Sequence, residues 1–307
     1  MISERRRERA FLALLPFLAM STAAHAGANR VFVSARSGND LNSCNNVLTP
    51  CQTFAGAVVQ LNPGGEAIVL DSGGYGAVTI TQSLTIEAPP GVLAFIHPIS
   101  GDAVTVNAAG ATVILRGLTI NGGATTTNGI VVTAVSVLQV ENCVFSGIGA
   151  AFPSGNGIYF ATSGQLFVKD SIMRGNAHAG IWVIPGASAA QASVDRCRFE
   201  GSAVGVRDDT NAQVSIKDSV ASGNSYAGFF AAFGGELNVE DCLIANNAVG
   251  LYSSSSGVPS TLRASNCTVT DNGTGLIGAG GNLLSRSNNT VQGNTTKGSF
   301  TGTYTAD

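Results

Sequence analysis

The chain has 307 residues, with 16 basic against 19 acidic side chains, 11% charged and 44% hydrophobic residues, and 39 glycines. A slightly acidic balance with no basic patch argues against nucleic acid as a partner. No long charge run or Pro-rich linker divides the chain, which therefore reads as one elongated domain.

The first element reads as a leader. Met-Ile-Ser-Glu-Arg-Arg-Arg-Glu-Arg is followed by an apolar run from Ala10 to Met20 and then by Ala24-His25-Ala26. A basic segment, a short apolar stretch and an Ala-x-Ala site predict a secretory signal peptide over residues 1–26. The apolar run is too short to span a hydrocarbon core of roughly 30 Å. The mature chain is expected to begin near Gly27 and to be exported to the periplasm, the cell surface or the medium. Cleavage removes four arginines and two glutamates and leaves 12 basic against 17 acidic residues. No later apolar stretch is long enough for a transmembrane segment.

Residues 27–66 are expected to form an N-terminal strand, a disulfide loop and a capping helix. Cys44 and Cys51 sit among Asn42, Ser43, Asn45, Asn46 and Pro50, where an oxidising compartment favours pairing. Two free thiols in a capping loop are the alternative. Thr53 to Leu61 predicts a short helix that covers the N-terminal end of a repetitive region.

That region runs from residue 67 to 307. Gly129, Gly157, Gly180, Gly205, Gly228, Gly250 and Gly275 recur at 22–28 residues, each followed by an apolar side chain. In step with them run Asn142-Cys143, Asp170-Ser171, Arg196-Cys197, Asp218-Ser219, Asp241-Cys242 and Asn266-Cys267. Within one unit, Gly157-Ile-Tyr-Phe, Gln165-Leu-Phe-Val-Lys and Ser171-Ile-Met alternate as three short strands, and helical periodicity is absent. Three strands per 22–28 residues predict an all-β solenoid, a right-handed parallel β-helix of about nine or ten coils with a C-terminal cap.

Stacked coils align equivalent residues into columns. Ile130, Ile158, Ile181, Val206, Phe229, Leu251 and Leu276 must face inward, as must Phe145, Met173, Phe199, Ala221, Ile244 and Val269. The Asn/Asp column marks a turn that needs left-handed backbone. Just before it, Glu141, Lys169, Asp195, Lys217 and Glu240 alternate in sign, a register device on an outer face. Cys143, Cys197, Cys242 and Cys267 share a position with Ser171 and Ser219 and show no Cys-x-x-Cys spacing, so buried free thiols are expected rather than a metal site.

With these features the chain resembles the right-handed parallel β-helix proteins of the pectin-lyase-like superfamily, over roughly residues 30–300. The pattern Val31-Phe-Val-Ser, Gly38, Asp40, Cys44, Pro50-Cys51 and Thr53-Phe54 is similar to small exported bacterial members, many of them without assigned activity. The resemblance implies that a polysaccharide would lie along the strand face next to the glycine column.

On that face the outward column reads Val131, Tyr159, Trp182, Arg207, Phe230, Tyr252 and Ile277. At about 4.8 Å per rung this is an exposed stripe roughly 25–30 Å long. Tyr159, Trp182, Arg207, Phe230 and Tyr252 suit a glycan, by ring stacking and by guanidinium hydrogen bonds. Packing beneath loops such as 147–156, or contact with a protein partner, are the alternatives. Arg207, Asp208, Asp209 and His178 are the candidates for acid–base chemistry on a glycosidic or uronate bond. They depart from the family patterns, since Ala177-His178-Ala179-Gly180 precedes Asp208-Asp209 and no Arg-Ile-Lys comes after. No carboxylate cluster for calcium stands out, and calcium would enter only if the protein were a lyase. Most charged residues belong to structural columns, which favours a non-catalytic binding protein over a polysaccharide lyase or glycoside hydrolase.

Overall fold

The computed structural model describes residues 27–305; the predicted leader lies outside the described residues. About nine coils stack into a right-handed parallel β-helix with three sheets, of twelve, ten and ten strands. In one coil the chain runs through Val137–Glu141 in sheet A, Val144–Ser146 in sheet B and Asn156–Phe160 in sheet C. Pairing along the stack is parallel, and a small antiparallel arm, Val258–Pro259, folds back on Val249–Ser256 in sheet C.

The sharp turn from sheet A to sheet B explains the Asn/Asp column. Asn142, Asp170, Arg196, Asp218, Asp241 and Asn266 all have φ between 48° and 54°. Arginine is unusual there, and Arg196 is held by Asp170 (Nε to Oδ1, 2.8 Å) and by Asp195. The next residue supplies the second half of the device. The thiols of Cys143, Cys197, Cys242 and Cys267 donate to the carbonyl two residues back at 3.0–3.3 Å, and Ser171 and Ser219 do the same at 2.8 and 2.7 Å. A small side chain with one donor is what the position selects. The four cysteines are free and buried, and desolvation pushes the Cys143 and Cys197 thiols up to about 12.

The recurring glycines have a different cause. Their φ angles are ordinary, but a Cβ at Gly205 would lie 2.4 Å from the carbonyl oxygen of Gly228, and the others meet the next coil at 2.5–2.8 Å. Each of these glycines therefore has the backbone of the next coil against it, with core side chains of sheet B beside Gly129 to Gly250, and no room for a Cβ. The inward columns are fully buried as expected, with Ala221 leaving space for Phe199 and Phe229 to meet edge to face at 6.2 Å.

A further column ties the turn from sheet B to sheet C. Asn224, Asn247, Asn272 and Asn294 form a ladder in which each Nδ2 donates to the next Oδ1 at 2.8–3.0 Å. Each Oδ1 also accepts a backbone N–H from the coil before. Where Ser202 replaces asparagine, Asn176 loses the partner for its Nδ2. The ladder satisfies polar backbone that would otherwise be stranded in the core.

The charge column is in register from Arg116 and Glu141 through Lys169, Asp195, Lys217 and Glu240. Its ion pairs close at Arg116–Glu141 (2.8 Å) and Lys217–Glu240 (3.8 Å). At the N-terminal end Cys44 and Cys51 form a disulfide, their Cα atoms 5.1 Å apart. The capping helix is shorter than expected, Phe54–Val58, with Thr53 accepting from the Gly56 N–H. It stops there because Leu61–Val69 is already a strand, pairing with Ala28–Val33, so the solenoid has no seam at residue 66.

Candidate functional site

Side chains alternate across a pleated strand, so the residue after each buried Ile, Val, Phe or Leu of sheet C points out. The register Val131, Tyr159, Trp182, Arg207, Phe230, Tyr252, Ile277 is continuous from coil to coil. Tyr159 meets Trp182 edge to face at 5.2 Å, and Phe230 stacks on Tyr252 at 4.6 Å and 17°. Arg207 lies between the two pairs, its guanidinium carbon 4.5 Å from the Trp182 ring and 5.5 Å from Phe230. The result is one unbroken tier of π faces with a cation in the middle.

The tier is less exposed than the sequence suggests. Trp182 is 4% and Phe230 8% exposed, because a second set of aromatics covers them. Phe152, from the loop after Ser146, stacks on Trp182 at 5.8 Å and meets His178 at 5.0 Å. Phe233 lies 5.6 Å from the Arg207 guanidinium, and Tyr226 packs on Phe230 at 5.7 Å. Phe152, Phe233 and Tyr226 are 66%, 42% and 46% exposed and form the outer surface of the tier. Phe233 stands at φ 53°, a left-handed backbone that costs a bulky residue roughly 1–2 kcal/mol. Two adjoining hollows of about 490 and 280 Å³ open on either side of Phe152 and Arg207.

Arg207 is engaged by its own chain. Its Nε and Nη2 donate to Asp209 Oδ1 and Oδ2 at 2.8 and 3.1 Å, with the side chains 12% and 7% exposed. Burial raises the Asp209 carboxyl above its ordinary range, and the Arg207 hydrogen bonds pull it back in part. The Trp182 indole N–H reaches no partner at hydrogen-bonding geometry, although the Asp209 carboxylate is the polar group beside it.

His178 ends a chain of polar side chains that starts at the half-buried Asp102 and runs through buried Asn128 and Asn156. Asn128 donates to Asp102 (2.9 Å), Asn156 donates to Asn128 (2.8 Å), and His178 Nδ1 lies 2.7 Å from Asn156 Oδ1. An amide oxygen only accepts, so Nδ1 carries the proton and the Nε2 lone pair is left free. Desolvation, helped by the nearby Arg207 charge, lowers the His178 pKa to about 4. The ring is neutral at pH 7.

Asp208 is not part of this surface. It occupies an inward column between Val183 and Ala231, is wholly buried, and neither carboxylate oxygen has a hydrogen-bond partner. The expected grouping of Asp208 with Arg207, Asp209 and His178 therefore does not form, since adjacent residues of a strand face opposite ways. Gly235 makes the space, because a Cβ there would lie 2.2 Å from Asp208 Oδ2. Desolvation, reinforced by the Asp209 charge, raises the Asp208 pKa well above its ordinary value. Its contribution to stability is whole below the unfolded-state pKa, near 4, and is lost as pH rises toward the raised folded value. Asp208→Asn should thus flatten the fall in thermal midpoint between pH 5 and pH 8. Parallel pH profiles for the variant and the wild type would contradict a buried neutral acid.

A family model for the right-handed β-helix region matches residues 128–296. The chain belongs to the right-handed β-helix family. Among solved structures, the β-helix resembles a crystal structure of pectate lyase Pel9A at TM-score 0.54 and 15% identity, over 85% of this chain and 70% of that one. At that identity the likeness concerns the fold alone. No curated protein matches the chain. Among the described residues no three His, Cys, Asp or Glu side chains of the β-helix come together in a way that could hold a metal ion.

Proposed function

We propose that this is an exported β-helix protein that binds polysaccharide or another extracellular glycan along the outer face of sheet C, without cleaving it. The observation that carries the proposal is the unbroken tier from Tyr159 to Tyr252, overlaid by the exposed rings of Phe152, Tyr226 and Phe233. Flat aromatic faces beside polar groups fit the C–H faces and hydroxyls of sugar rings. A structural neighbour named as a pectate lyase supports a polysaccharide as the ligand class. Export is supported by the leader sequence and by the Cys44–Cys51 disulfide.

Binding is favoured over catalysis because the paired carboxylates a glycosidase would use are divided between interior and exterior. Asp209 is held by Arg207, and the remaining acid–base group on the face, His178, is neutral. The test is retention on immobilised polysaccharides. Phe152→Ala and Tyr226→Ala should each weaken binding about threefold to tenfold, the worth of one aromatic contact. Each ring also packs on the tier, so a fall of a few °C in thermal midpoint is expected, and retention is compared well below it. Unchanged retention in both variants would move the face to protein contact.

A further inference from the structure

We infer that the aromatic face takes a neutral glycan and discriminates against uronate chains, because its one cation is already engaged by an internal carboxylate. The inference rests on the glycan-binding proposal and names the ligand class for the same surface.

In the Arg207–Asp209 pair, two guanidinium N–H groups are aimed at the two oxygens of Asp209. The rest of the guanidinium faces Trp182, Phe230 and Phe233. Along the outward column from Val131 to Ile277 no other lysine or arginine occurs, and the neighbouring row through Ala161, Ile184, Asp209 and Ala232 adds none. The local charge of the face is therefore zero. An incoming uronate carboxylate would either lie against Asp209 or displace it, and each leaves a carboxylate unpaired in a nearly dry setting, which is costly.

What the face does offer suits hydroxyls. His178 Nε2 is a free acceptor beside the smaller hollow, and the remaining lone pairs of Asp209 are acceptors beside the larger one. Acceptors want O–H donors, and ring faces want the apolar face of a pyranose; an uncharged sugar supplies both. A uronate adds a charge that nothing here compensates.

Trp182 is the single tryptophan of the chain, so its emission reports on this face without a label. The protein is titrated with cello-, xylo- and galacto-oligosaccharides and, separately, with oligogalacturonate, at low and high salt. Neutral sugars should change the emission with at least about tenfold higher affinity than oligogalacturonate, and with little dependence on salt. Asp209→Asn, which releases the guanidinium, should narrow or reverse the preference; the wild-type titration decides the matter if that variant does not fold. Oligogalacturonate bound as tightly as the neutral sugars by the wild type would overturn the inference and leave glycan binding standing. No response to either class would remove the glycan proposal itself.

Discussion

Arg207→Ala should cost about 3 kcal/mol of folding stability, roughly 6–12 °C in thermal midpoint. The pair it breaks is nearly dry, with side chains 12% and 7% exposed, and is clasped by Trp182, Phe230 and Phe233. Removing the guanidinium leaves the Asp209 carboxylate without its partner and takes the cation out from among these rings. The loss should shrink at pH 5 relative to pH 8, because burial already raises the Asp209 pKa and the deserted carboxylate can protonate. Replacing both partners, Arg207→Met with Asp209→Leu, should recover most of the stability, since no buried charge is then left unpaired. Melts of the single and double variants at the two pH values check this. A double variant as unstable as the single one would show that the pair matters for shape and not for charge.

Gly205→Ala should be comparably damaging, by about 3 kcal/mol, although it adds a single methyl group. That methyl would lie 2.4 Å from the Gly228 carbonyl oxygen and 3.1 Å from the Phe199 Cβ. The strand cannot retreat, because Val204–Asp208 is hydrogen-bonded to Ala179–Val183 on one side and Ala227–Ala231 on the other. Gly123 provides the contrast, for a Cβ there meets nothing within 4 Å and its φ is not left-handed. Gly123→Ala should stay within about 0.5 kcal/mol of the wild type in urea unfolding. Equal losses at the two positions would mean that coil spacing does not explain the glycine column.

These two effects also mark what the sequence makes legible. A solenoid prints its architecture as a period, so the inward columns, the Asn/Asp turn and the charge register can be read from spacing. The reason for the glycines cannot, since it depends on how closely Gly205 and Gly228 approach in the closed coil. The asparagine ladder leaves a visible trace, five residues after Ser171, Ser219, Cys242 and Cys267, but its burial and its hydrogen bonds come only from stacking. The site was half legible. Tyr159, Trp182, Arg207, Phe230 and Tyr252 share a strand column and could be aligned. Phe152 and Phe233 come from loops outside the period, so no column names them, whereas Tyr226 stands two residues before Gly228 in the column of His178 and Ala203, just ahead of the strand. Asp208 and Asp209 read as a carboxylate pair because adjacency in a chain hides the pleat that sends one inward and the other outward.

Sheet C is tested as a glycan-binding face by mixing the protein with a panel of neutral and uronate polysaccharides, calcium present, and following Trp182 emission while the same tubes are assayed for new reducing ends and unsaturated products. An emission change that saturates with a neutral polysaccharide, with no products formed, is the predicted result. Products, or emission that no polysaccharide alters, would contradict the account of sheet C as a non-catalytic glycan-binding face.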